Sequence, residues 1–505
     1  MFVLESIKAY AKTKQTALVN REERLSFALL ETRSEAFAAW LLAQFGPDRS
    51  PVVIYGHKET DFLPCMFGAL KAGRAYVPID TMTPPARAAG MIVEVGAQVV
   101  VNFSGTALAA GALQLDAEAL GEILQLPAQE VLREHWVCGD RPAYILFTSG
   151  STGKPKGVPI TANNLAGFCQ GLFPHMGAGG VILNQISYSF DVSCCAIYAG
   201  ISRGMTLFTL DQRMVENMGT LYDYLEQSAL EVWVSTPSFA EMCVRSQRFC
   251  AALMPQLRQF LFCGEVLTHK LCDQLAARFP GVELLNTYGP TEATVLVTAV
   301  QVTEAMRKDS RPIPIGAPIA GVELRLVDSH SRTVEQDETE GELLIFGNSV
   351  SSGYLNRREL TAERFLPDNT TGKQGYRTGD ICYRKDGLYY YRGRADNQLK
   401  ISGHRIELED IENNLAQIEN IARAAVVPVW QDGQLQYLAA FLLLEQQDGL
   451  APFKRAVEIK RKAGEFLPAY MIPRKIAVLD AFPLSTNGKV DRQALSARLQ
   501  KAERL

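Results

Sequence analysis

Short runs of apolar residues alternate along the chain with longer segments in which apolar residues recur at helical spacing. The runs include "SPVVIYG", "AYVPID", "AQVVVNF", "EVWVSTP", "QFLFCGE" and "VELLNTYG". Between them lie segments such as "SFALLETRSEAFAAWLLAQF" and "ETDFLPCMFGALKAG", whose periodicity is typical of helices. Buried strands that alternate with helices indicate parallel sheets with helices on their faces. The pattern therefore predicts an α/β fold.

The pattern changes at about residue 310, where short strands joined by turns replace this alternation. Asp386-Gly387, within "ICYRKDGLYYYRGR", is a typical hairpin turn, and "ARAAVVPVWQDGQLQYLAAFLLLE" predicts a second hairpin. The segment "PFKRAVEIKRKAGEFL" predicts a helix after it. We place a domain boundary near Asp396, which divides the chain into a large N-terminal domain, 1–395, and a small C-terminal domain, 396–505.

Composition and charge narrow the possible classes of protein. Hydrophobic residues make up 47% of the chain and charged residues 21%, which indicates a globular protein rather than a disordered one. The formal net charge is -4 and no basic stripe with interleaved aromatics occurs, so we expect no nucleic-acid partner. No stretch approaches the roughly 18 uninterrupted apolar residues of a membrane span, and the N-terminus lacks the core of a signal peptide.

The cysteines and histidines argue against a metal centre of the zinc type. None of the 10 cysteines forms a C-x-x-C pair, and the 6 histidines are scattered without metal-ligand spacing. Cysteines in apolar contexts such as "FLFCGE" and "DICYR" predict buried free thiols, which are typical of a reducing compartment. We therefore expect a cytoplasmic protein.

The stretch "FTSGSTGKPKGV", residues 147–158, combines glycines, hydroxyls and two lysines after an apolar run. It is not a Walker loop, because Pro155 follows Gly153-Lys154 and Thr148 stands where the first glycine belongs. Its hydroxyls and lysines can still bind phosphate oxygens. A solvent-exposed Gly/Ser turn is the alternative, which the flanking strand and the paired lysines disfavour.

Four more motifs follow in order: "NTYGPTEATV" (286–295), "YRTGD" (376–380), "YRGRADNQLKISGHRIELEDIE" (391–412) and "PLSTNGKVDR" (483–492). With these motifs the chain resembles the adenylate-forming enzymes, which include acyl-CoA synthetases, luciferases and the adenylation domains of nonribosomal peptide synthesis. The resemblance covers nearly the whole chain. It implies a large N-terminal domain of parallel-rich sheets flanked by helices plus a β-barrel-like part, a small mobile α+β C-terminal domain, and an active site between them.

The reaction that the resemblance implies is that of an AMP-forming ligase. A carboxylate attacks the α-phosphorus of ATP, and acyl-AMP and pyrophosphate form. Because a carboxylate is already ionised at pH 7, this step needs alignment and cancellation of charge rather than a general base. Lys489 would reach in from the small domain to bridge the substrate carboxylate and the α-phosphate. Glu292 would bind Mg²⁺, with Thr148 or Ser149 as helpers, and Asp380 would accept hydrogen bonds from both ribose hydroxyls.

Without the resemblance, a solvated lysine, a capping acid and a turn-stabilising aspartate would explain Lys489, Glu292 and Asp380 equally well. The resemblance implies a larger set of residues at the ATP site: Thr148, Ser149, Gly150, Ser151, Thr152, Lys154, Asn286, Thr287, Tyr288, Gly289, Pro290, Thr291, Asp380, Tyr391, Arg392, Gly393, Arg394 and Lys489. It also implies a hinge at Asp396. After rotation about this hinge, "KISGH" would replace Lys489 and shape a channel for a thiol, which attacks acyl-AMP and releases AMP.

The stretch "NQISYSFDVSCCAIYAG" aligns with the family segment that begins the acyl pocket. Asp191 stands where amino-acid-activating members carry an aspartate, and its carboxylate would pair with the substrate's α-ammonium. A buried aspartate satisfied by backbone N–H groups is the alternative. The other amino-acid-binding positions by this alignment are Val192, Cys195, Ser235, Leu261, Cys263, Thr287, Val295 and Leu296, together with Lys489. None of these pocket positions apart from Lys489 is charged, so we expect an apolar or very small side chain.

Within the family, "IYGHKETDF", "STPSFAEMC" and "FLFCGEVL" are similar to the branch that loads D-alanine onto a small carrier protein for teichoic acid esterification. D-alanine is therefore the leading substrate, and L-alanine, serine, glycine or cysteine are the alternatives. The chain has no phosphopantetheine site, so the thiol is expected on a separate carrier protein or, second, on coenzyme A.

Four other functions compete with this interpretation. A phosphotransferase is disfavoured by the failed Walker pattern, and an inactive scaffold by the presence of Glu292, Asp380 and Lys489 together. An acyl- or aryl-CoA synthetase is disfavoured by Asp191, and a free-standing adenylation enzyme for another small amino acid remains open.

Overall fold

The computed structural model describes residues 1–127, 129–150, 153–368, 371–395, 398–401, 404–431, 434–446, 449–483 and 490–502. Within them, a nine-stranded sheet spans much of the N-terminal part of the chain. Its central strands run parallel, and antiparallel strands close both edges. In neighbour order the strands are Ala317–Pro318, Thr298–Gln301, Glu283–Tyr288, Gln259–Phe262, Val232–Ser235, Val181–Asn184, Thr206–Thr209, Thr16–Asn20 and Glu23–Ser26.

A second sheet, with six strands in the described part of the chain, is also mainly parallel. In neighbour order its strands are Leu113–Leu115, Val99–Asn102, Val52–Gly56, Tyr76–Asp80, Pro142–Thr148 and Lys156–Thr161. The two central strands, Val52–Gly56 and Tyr76–Asp80, are buried at every position. Strands that are apolar on both faces must be covered on both faces, and this accounts for the continuous apolar runs in the sequence.

One apolar core joins these two sheets. The helix Phe62–Lys71 is buried at all 10 positions and lies in this core with the helix Phe27–Phe45. Its only charged side chain, Lys71, is fully buried and pairs with Glu31 and Glu35, each at 2.8 Å. The two sheets thus pack against a common apolar core, and the ends of their strands converge on one side of it.

The third sheet is antiparallel and corresponds to the expected β-barrel-like part. Its strands are Val322–Val327, Gly341–Gly347, Gln374–Lys385, Phe365–Pro367 and Leu388–Arg394. The hairpin turn predicted at Asp386-Gly387 is present, with φ values of 52° and 77°. Two positive φ angles in a two-residue loop match the right-handed twist of the flanking strands.

The C-terminal part contains two small sheets. One pairs Gln398–Ile401 with His404–Glu407, and the other contains Ile421–Gln431, Gln434–Leu444 and Lys475–Val478. The second hairpin expected from the sequence is therefore present, although its Asp-Gly turn lies outside the described residues. The predicted α/β fold, with a large N-terminal and a small C-terminal domain, is confirmed.

Helices cover both faces of the large sheets, and in the small domain helices pack on both faces of the three-stranded sheet. The α-helices are Phe2–Tyr10, Phe27–Phe45, Phe62–Lys71, Pro85–Val95, Ala117–Leu124, Ala162–Leu172, Gln212–Glu216, Met218–Glu226, Pro237–Cys243, His269–Arg278, Glu304–Lys308, Arg358–Arg364, Leu408–Leu415, Pro452–Ala463 and Arg492–Ala502. Short helical turns of other types are Phe173–His175, Asp191–Ser193, Cys195–Gly200, Thr291–Ala293 and Ala469–Met471. Of the helices formed by the described residues, none is both long and apolar enough to cross a membrane.

Candidate active site

A cavity of about 510 Å³ opens where strands of both large sheets end. Asp80, Thr148 and Tyr288 are each the last residue of a strand and line this cavity, and His57 directly follows another strand. The opposite wall comes from the small domain, including His404, Arg405 and Tyr470. Crevices at the carboxyl ends of strands are where open α/β sheets bind ligands. The cavity between the two domains is therefore the candidate active site.

The loop that the sequence predicts to bind phosphate begins at Thr148. The hydroxyl of Thr148 is buried without a hydrogen-bond partner among the described residues. Ser149 Oγ donates to the carbonyl of Arg405 at 2.9 Å and accepts from the backbone N–H of Glu407 at 3.1 Å. A Cβ on Gly150 would lie 2.3 Å from the carbonyl oxygen of Lys154, so only glycine fits there. Lys154 itself is exposed. Within its described residues, the loop is thus held by the small domain and carries one buried hydroxyl without a partner.

Two buried ion pairs connect the large domain to the small domain beside this loop. Lys156 contacts Glu407 at 2.7 Å, and the Arg405 guanidinium donates to both oxygens of Glu292 at 2.9 and 2.8 Å. Tyr354 Oη also donates to Glu292, at 2.7 Å. Burial alone would raise the pKa of Glu292, but the charges of Arg405 and Lys156 hold it at about 2. The carboxylate is therefore ionised and fully engaged in this arrangement.

A third set of charges lies at another end of the cavity. Asp380 pairs with Arg394 at 2.7 Å and accepts a hydrogen bond from Tyr288 Oη. All three side chains line the cavity. Burial, followed by the Asp380 charge, raises the pKa of the Tyr288 hydroxyl, so this group stays a donor. A carboxylate positioned in this way suits the recognition of paired hydroxyls.

The residues around Tyr288 divide into lining and supporting positions. Gly289, Pro290 and Thr291 line the cavity. A Cβ on Gly289 would lie 2.6 Å from the Cα of Leu296, so a side chain there would collide with backbone. Asn286 instead donates to the carbonyl of Pro314 and Thr287 to the carbonyl of Phe262, both at 2.8 Å. These two fix the strand rather than line the cavity.

The strand Leu388–Arg394 presents only its last predicted residue to the cavity. Arg394 is a lining residue, whereas Tyr391, Arg392 and Gly393 are not. Arg392 pairs with Glu340 at 2.8 Å, and 52% of its side chain is exposed. The register shift between Ile381 and Cys382 makes Arg392 the extra residue of a bulge, which puts Arg392 and Arg394 on different sides.

The apolar end of the cavity, where the acyl pocket is predicted, begins at Asp191, the first residue of the helical turn Asp191–Ser193. Asp191 and Val192 line the cavity, and Cys195, Cys263, Val295 and Leu296 lie behind them, each at most 1% exposed. Cys263 Sγ lies 3.8 Å from the Val295 carbonyl. Val295 has a φ of 73°, which is strained for a β-branched residue. Thus a rigid, mainly apolar wall stands behind one carboxylate.

The small domain closes the cavity with His404. Its ring lies 3.6 Å from the Tyr470 ring in a stacked arrangement and 4.1 Å edge-on from Phe190 of the large domain. His404 Nδ1 is buried without a partner among the described residues. Burial lowers the pKa of His404 to about 4, although the Asp80 charge acts in the opposite direction. The imidazole is therefore a neutral wall of the cavity at pH 7.

Sequence reasoning missed several lining groups. His57 Nδ1 lies 2.7 Å from Asp80 Oδ2, and Arg87 contacts Asp410 of the small domain at 2.8 Å. Arg405 was also missed, although the segment "KISGH" was expected near the cavity. The position of His57 directly after a buried strand was the available signal, since strand ends meet at one edge of a parallel sheet.

The structure thus brings together Thr148, Ser149, Asp191, Val192, Tyr288, Gly289, Pro290, Thr291, Asp380 and Arg394 as lining residues. Glu292 lies buried beside them. Ser151, Thr152, Asp396 and Lys489 lie outside the described residues. Among the residues that are described, no group of three or more His, Cys, Asp or Glu side chains could hold a metal ion.

Family models match both parts of the chain. The model of the AMP-binding enzyme matches residues 6–355, and that of the AMP-binding enzyme C-terminal domain matches residues 410–489. Proteins named D-alanine--D-alanyl carrier protein ligase from Bacillus licheniformis and Bacillus anthracis are each 38% identical over 500 residues, which cover 98% of this chain and 99% of theirs.

Solved structures give the same result. Holo-PA1221, an NRPS protein containing adenylation and PCP domains bound to a vinylsulfonamide inhibitor, matches with a TM-score of 0.82 and 25% identity. The match covers 98% of this chain and 84% of that one. Because a family model matches more than half of the chain and its relatives align over nearly their full length, the chain belongs to the AMP-binding enzyme family.

Proposed function

We propose that the protein activates a small amino acid, D-alanine, as the aminoacyl-AMP with release of pyrophosphate from ATP. It then transfers the aminoacyl group to the phosphopantetheine thiol of a separate carrier protein. The observation that carries this proposal is one cavity with two dissimilar ends. Asp191 stands at an apolar end, and Asp380 with Arg394 stands at a polar end. The names of the relatives support D-alanine and a carrier protein.

ATP fits the polar end. Asp380 would accept the ribose hydroxyls, Arg394 would contact ribose or phosphate, and the lining residues 288–291 would lie against adenine and the α-phosphate. The orphaned hydroxyl of Thr148 is a donor without a partner among the described residues, as a phosphate site needs. Lys489, which lies outside the described residues, would bridge the α-phosphate and the substrate carboxylate.

Mg²⁺ would be held by Glu292, with Thr148 or Ser149 beside it. Carboxylate and hydroxyl oxygens are the ligands that Mg²⁺ prefers. Both oxygens of Glu292 are held by Arg405 in the present arrangement, so they become available to a cation only when Arg405 moves away. The ion would neutralise phosphate charge. The present arrangement therefore suits the step after adenylation, in which Arg405 takes the position near the carboxylate.

The amino acid fits the apolar end. Its α-ammonium would pair with Asp191, and its side chain would face Val192 with Cys195, Cys263, Val295 and Leu296 behind. Since these positions are buried and uncharged, a methyl group is accommodated more readily than a long or charged side chain.

The two half-reactions would use two orientations of the small domain, 396–505, relative to the large domain, 1–395, with Asp396 as the hinge. In the first orientation Lys489 aligns carboxylate and phosphate, and the reaction needs no base because the carboxylate is ionised. In the second, His404 and Arg405 face the cavity, as they do here, and the thiol attacks.

Amino-acid-dependent ATP–pyrophosphate exchange tests reaction class and substrate together. Both enantiomers of alanine, serine and cysteine, and glycine, are compared with acetate and benzoate. We expect exchange with D-alanine to exceed that with every other substrate. Exchange with L-alanine or glycine alone would show that this amino acid, rather than D-alanine, is the substrate. Exchange only with acids that lack an amino group would show that the protein acts as an acyl-CoA synthetase.

A further inference from the structure

Three polar side chains line the cavity in a cluster that neither half-reaction has used so far. His57 Nδ1 lies 2.7 Å from Asp80 Oδ2, and Ser187 Oγ donates to the same oxygen. The backbone N–H of Met82 donates to the other oxygen, Asp80 Oδ1, at 2.9 Å. Asp80 is 5% exposed, so its carboxylate is held by three donors in a dry position.

The backbone fixes this cluster. Gly56 and Asp80 are register partners at the ends of two neighbouring parallel strands, and His57 directly follows Gly56. The backbone N–H of His57 donates to Glu59 Oε2 at 2.7 Å. A Cβ on Gly56 would lie 2.6 Å from the same Glu59 oxygen. The loop after the strand therefore has little room to move.

The Asp80 contact sets the tautomer of His57. Since an ionised carboxylate only accepts hydrogen bonds, Nδ1 carries the proton and donates it to Asp80, so Nε2 has the free lone pair. Nε2 has no partner among the residues that the structure describes, and 20% of the side chain is exposed. An oriented imidazole with a free nitrogen in a cavity is the arrangement of a general base.

The transfer step needs such a base, although the adenylation step does not. A thiol titrates near 8.5, so only a few per cent is thiolate at pH 7, and the thiol proton needs an acceptor that faces the cavity. Among the described lining residues, Asp380 is paired with Arg394 and accepts from Tyr288 Oη, and the proposed function assigns Asp191 to the substrate's α-ammonium. Burial raises the pKa of Tyr470 to about 12 and lowers that of His404 to about 4. His57 is the lining residue left.

We propose that His57 is the general base of the transfer step, with Asp80 and Ser187 as its positioning residues. The S–H proton passes to His57 Nε2 while the new C–S bond forms at the acyl carbon. The bond between that carbon and the phosphate oxygen then breaks, AMP leaves with the electron pair, and the proton passes from His57 to solvent. This inference rests on the proposed function.

Other titratable groups surround the pair and share its field. Tyr55 belongs to the strand before His57, and Lys58 and Glu59 follow it in the loop. From the small domain, His404 and Tyr470 interact electrostatically with Asp80. A His57 variant must therefore be compared with an Asp80 variant, because both change this field but only one removes the base.

The test separates the two half-reactions. His57→Gln and His57→Ala are assayed for pyrophosphate exchange and, in single turnover, for transfer from preformed D-alanyl-AMP to pantetheine. We expect transfer to slow by about 10²–10³-fold and exchange to change far less. The pH profile of transfer should lose its histidine limb and follow the thiol alone. Imidazole should rescue His57→Ala, and a more acidic thiol should reduce the defect.

Two further variants serve as controls for the role of His57. His330→Gln, at an exposed histidine in the turn after the strand Val322–Val327, should leave both half-reactions unchanged. Asp80→Asn should slow transfer with a shifted pH profile, and it replaces His57→Gln if that variant fails to fold. Equal losses in both half-reactions, or an unaltered pH profile, would overturn the role of His57. Wild-type protein that forms no adenylate with any amino acid would overturn the proposed function and this inference with it.

Discussion

The two ends of the cavity are held in place in different ways. The phosphate end is the part of the cavity beside Thr148 and Ser149, where we propose that phosphate binds. Here Glu292 of the large domain pairs with Arg405 of the small domain, and Lys156 pairs with Glu407. At the acyl end, Asp191, Cys195 and Cys263 are held by the large domain itself, and the wall behind Asp191 is almost entirely buried. Charge dominates one end and packing dominates the other.

This difference has a functional consequence. A pocket built within one domain keeps its shape whichever way the small domain turns, so it can hold the same aminoacyl group through both half-reactions. Ion pairs across a domain interface form and break with its orientation, so the phosphate end can change its ligands between the steps. Substitutions at the acyl end should therefore alter which substrate reacts, and substitutions at the phosphate end should alter which orientation is stable.

The largest expected effect is at Asp191. Asp191→Ala removes the proposed partner of the α-ammonium and would leave a cation in a mainly apolar pocket, which costs about 3–4 kcal/mol for a buried pair. We expect amino-acid-dependent exchange to fall by about 10²–10³-fold in kcat/KM. Asp223→Ala, an exposed aspartate on the helix Met218–Glu226, is the matched control and should exchange normally. Normal exchange in Asp191→Ala would show that the two ends of the cavity are assigned wrongly.

The second effect tests the interface. Arg405→Met strands the buried carboxylate of Glu292 with only Lys156 and Tyr354 nearby. We expect the free energy of unfolding to fall by about 2–4 kcal/mol, measured by denaturant titration. Glu292→Gln with Arg405→Met should cost less than the sum of the two single variants. The exposed pair of Arg392 and Glu340 is the control, and Arg392→Met should cost about 1 kcal/mol or less. If the effects of Glu292→Gln and Arg405→Met on the free energy of unfolding were additive, the ion pair would not hold the phosphate end in place.

These two predictions differ in how far the sequence supports them. Thr148 is placed by local pattern, because it ends an apolar strand that the sequence already indicates, whereas Asp191 and Asp380 are placed only by the resemblance to the adenylate-forming enzymes. The pairing of Arg405 with Glu292 joins residues 113 positions apart and depends on how two domains meet. Neither periodicity nor a motif encodes that meeting.

Arg392 shows a second limit of sequence reasoning. In a regular strand, Arg392 and Arg394 would share a face, and both were predicted at the nucleotide. The bulge opposite Ile381 and Cys382 inserts one residue and separates them. Because side chains alternate with a period of two, one inserted residue is enough to turn Arg392 to solvent. The residue composition of the strand does not predict this bulge.

A third, smaller effect tests how packing at the acyl end selects the substrate side chain. Cys263→Ala removes one buried sulfur behind Val192 and enlarges the pocket by about one heavy atom. We expect the preference for alanine over 2-aminobutyrate to fall about 10-fold, since one methylene changes discrimination by that order. Competitive exchange with both amino acids measures the ratio. Cys272→Ala, a buried thiol on the helix His269–Arg278, creates a similar cavity away from the site and should leave the ratio unaltered.

The smallest effect concerns His404, the small-domain residue that packs against Phe190 of the large domain. An unfolded histidine titrates near 6.5, whereas burial holds the pKa of His404 at about 4. Between pH 6.5 and pH 4 the unfolded chain binds a proton that the folded chain does not, so the stabilisation present above pH 6.5 is lost as the pH falls. The thermal midpoint of the wild type should therefore decline more steeply over this range than that of His404→Gln. His330→Gln, at an exposed site, should decline like the wild type. Parallel declines in His404→Gln and the wild type would mean that His404 is hydrated, and that the cavity is open to water even with the small domain in place.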